Sequence, residues 1–507
     1  MRSLLIRQVN SLTRRAYSAS IGSEVENVKP FSEMPTITFF KMVKESLPGG
    51  KYYNKSIKDV LQAFFDEFGE AVRIPAMLGN PEIVMSYNSE NFEKIFRAEG
   101  TWPVRTGLDS LEYYRDTKRP EIYKDLGSLF VSHGEKWSNM RSIANPILMQ
   151  PKTIKKYTTQ VDDIAKEFIE LMRKIRNDKS EMPGDFSNYI NTWSLESVTA
   201  VGLERRLNLF DPNTNDENAK KLIKGIRDFF EMSAEYDGKA SVWKYYQTKG
   251  FKEFLTVYDT LTDVILYYID LAIKEMDQEK STASESEDSI LKKLLRVDKR
   301  VAVIVVSDLM LAGVDTTASA VLNTIYCLAK NPEKQEILRQ ELINILPEKN
   351  SRMTSENNKN MPYLRAVIKE AMRLFPVASG NVRQTTKEIV ISGYQVPANT
   401  HVGLQFHLDL INEKYYPNPD KFLPERWLRD QSDNNSRAGV ANPFSFLPFG
   451  FGVRSCIGKR IAELELETLV ANIIRNFKVE WHYPDMKIKS TFVNIPDSEM
   501  RFKMIEL

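Results

Sequence analysis

The stretch Phe449-Gly450-Phe451-Gly452-Val453-Arg454-Ser455-Cys456-Ile457-Gly458 decides how the rest of the chain is read. It presents one cysteine in a glycine-rich loop. Gly450, Gly452 and Gly458 supply positions where the backbone can take a positive φ or approach a flat ligand without a Cβ clash. From Ile457 the apolar spacing of Ile461, Leu464, Leu469, Ile473 and Phe477 predicts an amphipathic helix. Its N-terminal amides and dipole lie beside the sulfur and favour the thiolate, and Arg454 adds positive charge. We therefore read Cys456 as a metal-bound thiolate. Zinc and iron–sulfur sites need about four ligands, and only Cys327 remains elsewhere. Haem needs one. The plainer alternative is a buried cysteine in an ordinary turn.

The spacing F-x-x-G-x-R-x-C-x-G resembles that of the cytochrome P-450 superfamily of haem-thiolate monooxygenases. That resemblance implies a mostly α-helical fold with small β-sheets around a buried haem b, with Phe449, Gly450 and Gly458 framing the cofactor.

A second stretch supports it. Val301 to Asn331 has the length and apolar content of a long buried helix, interrupted by Ala312-Gly313-Val314-Asp315-Thr316-Thr317. An acid and two β-branched alcohols are unfavourable there unless their side chains serve something. In the family this pattern is the oxygen-binding groove. Thr316 would hydrogen-bond dioxygen and Asp315 would relay protons, with Gly313 leaving a notch. Hydroxyls bonded back to helix carbonyls are the structural alternative.

Glu370 and Arg373 fall three apart, on one helix face. Exposed pairs of this kind are common and contribute little. Downstream, Phe422-Leu423-Pro424-Glu425-Arg426-Trp427 is similar to a family segment whose arginine, here Arg426, would complete a Glu370-Arg373-Arg426 network. Trp427 stands where phenylalanine is commoner. Trp137 and Arg141, four apart, would share a helix face, and the resemblance makes them partners of a haem propionate. It gives Arg383 the second propionate and adds Arg454, while Phe375 to Val382 would line the substrate pocket. Asn381 to Val396 reads as a hairpin.

Earlier in the chain, a helix is expected at about 56–69, and a hairpin from Val72 to Met77 and Glu82 to Tyr87. Trp102 to about Phe130 lacks clear periodicity and reads as a loop; in the family such a loop covers the substrate. Tyr157, Val161, Ile164, Phe168, Leu171 and Ile175 space a core-facing helix. Phe229, Phe230, Trp243, Tyr245 and Tyr246 lie among lysines, a composition suited to a membrane interface or to a solvated face. Gln278 to Ser289 reads as a polar linker.

The 507 residues are 42% hydrophobic and 27% charged, an ordinary globular mixture. A net charge of +2 argues against a nucleic-acid partner held by bulk charge. Two widely separated cysteines suit a reducing compartment. Residues 1–20 carry Arg2, Arg7, Arg14 and Arg15 and no acid, the composition of a mitochondrial transit peptide. No apolar run approaches the ~20 residues that span a bilayer. Residues 30–507 are expected to form one catalytic domain.

Arg365, Lys369, Lys459 and Arg460 could form a basic patch. Mitochondrial members of the family use such residues to dock an acidic two-iron ferredoxin, which carries electrons from NADPH through a reductase. The expected reaction is insertion of one oxygen atom of O2 into an apolar substrate, steroid-like or xenobiotic, on the matrix side of the inner membrane. Two other classes share the cysteine loop: haem-thiolate isomerases or dehydratases, and non-catalytic haem or ligand carriers. Asp315 and Thr316 argue against the first, and a complete groove, triad and docking patch would be unnecessary in the second.

Overall fold

The long apolar stretch predicted from Val301 forms one unbroken helix, Lys299–Lys330, and the molecule is assembled around it. The computed structural model describes residues 28–507 except 78, 212, 214–215, 239–240, 279–288 and 429–441. The expected transit peptide, and all but the ends of the linker at Gln278 to Ser289, lie outside the described residues.

Nine helices position the site: α1 (Asp109–Thr117), α2 (Gly134–Leu148), α3 (Thr158–Ile175), α4 (Phe186–Gly202), α5 (Glu217–Tyr236), α6 (Lys249–Gln278), α7 (Lys299–Lys330), α8 (Pro362–Leu374) and α9 (Lys459–Asn476). Asp298 caps α7 by accepting the Arg300 amide, which satisfies a donor that would otherwise be orphaned. Along α7 the core divides. Val301 to Val314 pack into one hydrophobic cluster with α5, α6, α2 and part of α4, while Ala318 to Ala329 pack into a second with α3, the rest of α4, α8 and most of α9. Asp315, Thr316 and Thr317 fall at the seam. By length and composition α7 could cross a membrane, which corrects the expectation that no apolar run approaches that length, but 78% of its apolar window is buried in protein, which makes it a core helix.

The hairpin expected near 72–87 is present as β1 (Ala71–Ile74) and β2 (Ile83–Ser86), and it joins β3 (Gly380–Gln384) and β4 (His401–Gln405) in a sheet of order β1-β2-β4-β3. The helix expected at 56–69 spans Ile57–Phe68. Ile389–Ile391 and Tyr394–Val396 form the second hairpin, turning through Ser392 and Gly393 at φ 47° and 82°. Arg383 is not part of it. The residue lies in β3, paired with Val402 of β4.

Three further expectations need correction. The segment from Trp102 to Phe130 contains α1, whose inward face includes Ser110 and Arg115 beside Leu111 and Tyr114. Buried polar residues broke the apolar period. The helix after the cysteine loop starts at Lys459, and Phe477 begins a strand instead of ending the helix. Of the aromatics expected at an interface or a solvated face, Phe229 and Phe230 in α5 and Trp243 beyond it are core residues, and Trp243 stacks on Phe251 at 4.6 Å. Tyr245 and Tyr246 are the exposed ones, at 76% and 72%.

Candidate haem site

The cysteine loop is held by its own backbone. The Cys456 amide donates to Phe449 O at 2.8 Å, Gly450 N to Leu447 O at 3.0 Å, and Ser455 N to Gly452 O at 3.1 Å. Gly450 and Gly452 take φ of 70° and 73°, a region costly for any residue with a Cβ. Gly458 does not, with φ −81°. It acts differently, through an amide that donates to the Cys456 sulfur. Cys456 itself is exposed, yet the protein packed around its sulfur pushes the free thiol up, against that hydrogen bond and the charges of Arg141 and Arg105. Arg454, expected beside the sulfur, turns away instead. Its guanidinium lies 4.0 Å over the Trp137 ring and donates to Pro103 O at 2.9 Å and Ser132 O at 2.6 Å.

The guanidiniums then crowd together. Trp137 and Arg141 are both buried in α2, and Arg141 Nη2 donates to Ser455 O at 2.8 Å, clamping the residue before the cysteine. Arg383 Nε meets Glu99 Oε2 at 2.5 Å. Arg105, which the sequence reading passed over, joins the same field from the Trp102–Phe130 segment and donates to Phe130 O at 2.9 Å. Burial first, and then the neighbouring guanidiniums, lower Arg105 to about 10 and Arg454 to about 9. Within this cluster Glu99 is the compensating carboxylate. Four arginines against one acid leave a surplus that calls for anions.

Unpartnered buried donors say the same. Trp137 Nε1, Arg141 Nε, Arg383 Nη2 and Arg454 Nη1 are buried without a hydrogen-bond partner, as is His133 Nδ1. Buried polar atoms are rarely left so, and several around one cysteine mark the seat of a polar group. Burial and the Arg454 charge lower His133 to about 4, so it stays neutral. Glu99 and His133 were also missed in the sequence. Glu99 meets Arg383 across 284 positions, a distance that no local pattern reports.

Helix α7 presents the opposite chemistry. Between its charged ends every residue is buried except Ala312, Gly313 and Thr316. These three line an opening in an otherwise closed helix. A Cβ on Gly313 would also come within 3.2 Å of Val198, so the glycine serves α4 packing as well as the groove. The Thr316 hydroxyl donates to Ala312 O at 2.7 Å, the back-bonded alternative foreseen above. Asp315 is buried, and burial raises its carboxyl to about 6, with Arg227 lowering and Glu231 raising it to lesser degrees.

Behind the loop, the network of Glu370, Arg373 and Arg426 is complete. Arg373 donates to both Glu370 oxygens, Nη2 to Oε1 at 2.9 Å and Nε to Oε2 at 3.1 Å, and Arg426 Nε reaches Oε1 at 3.0 Å. All three side chains are buried. Glu370 Oε1 also takes the Leu423 amide, and Oε2 takes the indole of Trp427.

The basic patch divides. Lys369, Lys459 and Arg460 are exposed. Lys369 lies 5.9 Å over the Trp427 ring, and Lys459 5.4 Å over that of Phe449. Arg365 is spent internally, its Nε on Glu467 at 3.0 Å and its other nitrogens on Asn358 and Lys359.

A flat tetrapyrrole carrying two carboxylates, with a metal open to one sulfur, answers the surplus charge and the idle donors together. A helical protein built to hold haem through a cysteine is a haem-thiolate protein. Residues 42–502 match the sequence model described as Cytochrome P450. The chain is 42% identical to a Musca domestica protein called cytochrome P450 CYP12A2, over 96% of this chain and 93% of that one. It is also 42% identical to the Drosophila melanogaster protein called probable cytochrome P450 12a5, mitochondrial, over 94% and 91%. With cytochrome P450 12b1, mitochondrial, of Drosophila acanthoptera the identity is 40%, over 89% and 85%. The chain belongs to the cytochrome P450 family. It is a mitochondrial oxidoreductase of the monooxygenase class and uses haem with a cysteine thiolate ligand.

Proposed function

We propose that Cys456 is the haem ligand and that the chain inserts one oxygen atom of O2 into an apolar organic substrate, with electrons passed from NADPH through a reductase and a two-iron ferredoxin. The observation that carries this reading is the opening at Ala312, Gly313 and Thr316 in a helix that is elsewhere sealed. Haem supplies the redox metal at which dioxygen is reduced. Cys327, the other cysteine, is buried in a hydrophobic cluster, where burial pushes its thiol far up.

Arg105, Arg141, Arg383 and Arg454, with Trp137 and His133, neutralise and orient the two propionates through charge-assisted bonds. The Glu370 network fixes the segment behind the loop, a matter of geometry more than of net stability. At the groove, Thr316 turns its hydroxyl from Ala312 O to the reacting oxygen. Asp315, with its carboxyl raised to about 6, is poised to take a proton from water and pass it inward. Lys369, Lys459 and Arg460 offer an acidic ferredoxin a positive face that raises its association rate. Residues 1–20 direct import to the matrix, leaving residues 30–507 as the working domain.

Reconstitution tests this directly. NADPH, ferredoxin reductase and ferredoxin should together support oxygen insertion into apolar substrates, with dependence on each component. Turnover of organic peroxides without NADPH would instead identify an isomerase, and absence of both activities a carrier.

A further inference from the structure

Glu465 is a buried carboxyl to which nothing so far gives work. It sits in α9, nine residues beyond Cys456, and is 1% exposed. Its neighbours Ile461 and Leu464 belong to one hydrophobic cluster, and Leu466 and Leu469 to the other. Glu465 thus lies at the same seam that Asp315, Thr316 and Thr317 occupy on α7. The two helices pack together there, and the Thr317 hydroxyl bonds the Glu465 carboxyl. Oε1 has no hydrogen-bond partner, and one turn on, Thr468 Oγ1 is buried without one as well. Among the described residues no lysine or arginine pairs with Glu465.

We propose that Glu465 is a neutral carboxylic acid that holds Thr317, and through it the Asp315–Thr316 turn, as a positioning residue and not as a proton donor. A carboxylate without a cation in such a place would carry a desolvation penalty of several kcal/mol. The neutral acid keeps the hydrogen bond without that penalty. Burial raises the carboxyl to about 8, with the Thr317 bond lowering it only in part, which agrees. The groups facing it are hydroxyls: Thr317 from α7 and Thr468 on its own helix. Because the bond spans the seam, it fixes the rotation of α7 at the point where neither hydrophobic cluster grips it. The proposal rests on the role given above to Asp315 and Thr316.

Infrared spectra of the wild-type and Glu465→Gln holoenzymes in H2O and D2O test the protonation state. At pH 7 the wild type should show a deuterium-sensitive carboxylic-acid carbonyl band that is lost in the Gln variant. A carboxylate signal in its place overturns the proposal. In the ferredoxin-reconstituted system, Glu465→Leu should raise peroxide released per NADPH several-fold, and Glu465→Gln should recover most of the coupling, since the amide still bonds Thr317. Equal uncoupling in both variants would make Glu465 a proton donor and also overturn it. If the Leu variant does not fold, the Gln variant is compared with wild type and the infrared result decides. Thr316→Ala runs alongside. If that variant stays coupled, the groove reading fails, while the infrared band still tests Glu465 independently.

Discussion

The indole N–H of Trp427 donates to Glu370 Oε2 at 2.8 Å, and so shares that oxygen with Arg373 Nε at 3.1 Å. The same ring packs against Phe446 at 4.5 Å, three residues before the cysteine loop. Trp427→Phe keeps one aromatic ring and removes the indole N–H together with the second ring of the indole. Hydrogen bonds to charged groups contribute about 1.5–3 kcal/mol, so a stability loss in that range is expected from chemical denaturation. Glu370→Ala, by contrast, strands two buried guanidiniums and should cost about 3–5 kcal/mol. A Phe variant as stable as wild type would show that the Trp427 bond to Glu370 contributes nothing to stability.

The arginine cluster predicts how tightly haem is kept. Arg105→Leu and Arg454→Leu each remove one of the charges proposed to hold the propionates, and haem transfer to an acceptor globin should accelerate about tenfold in both. A rate unchanged in Arg105→Leu would remove that residue from the cofactor's partners.

Asp315 has a pH signature. Its folded-state value of about 6 lies above the ordinary 3.8, so the native state holds the proton more tightly than the unfolded chain. Stability therefore falls as pH rises from about 4 to about 6, and the loss is complete above that window. Asp315→Asn should remove this component, so in denaturation from pH 4 to 7 the variant's stability curve should be flatter than that of wild type and the wild-type-minus-variant difference should fall across the window. Coupling of NADPH to product should titrate near 6 in wild type and not in the variant.

Much of this was legible in the sequence because the chemistry is local. Cys456, the Thr316 groove and the Glu370-Arg373 pair each sit in a short segment whose residue types make little sense otherwise. Glu99, Arg105 and His133 escaped because they act through contacts with residues far along the chain, as Glu99 does with Arg383. The helix α1 escaped because Arg115 points inward, onto Asp308 at 2.7 Å, where an amphipathic pattern requires an apolar side chain. Arg365 is a related case: its charge is visible in a sequence, but the Glu467 with which it pairs is not.

That distinction predicts different losses on the basic face. Lys369→Glu and Arg460→Glu should weaken ferredoxin binding severalfold at low salt and progressively less as ionic strength rises. Arg365→Glu should lower thermal stability instead, because it sets a second carboxylate against Glu467. A salt-independent loss of affinity in Lys369→Glu would point to damage in the fold and not to docking.

The reduced, carbon-monoxide-bound absorption spectrum of the holoprotein, wild type beside Cys456→Ala, tests the central claim most directly. Haem held by Cys456 predicts the strongly red-shifted Soret band of a thiolate-ligated iron in wild type and its loss in the variant. A band that persists in Cys456→Ala, or a wild-type band at the position of imidazole-ligated haem, would contradict the account.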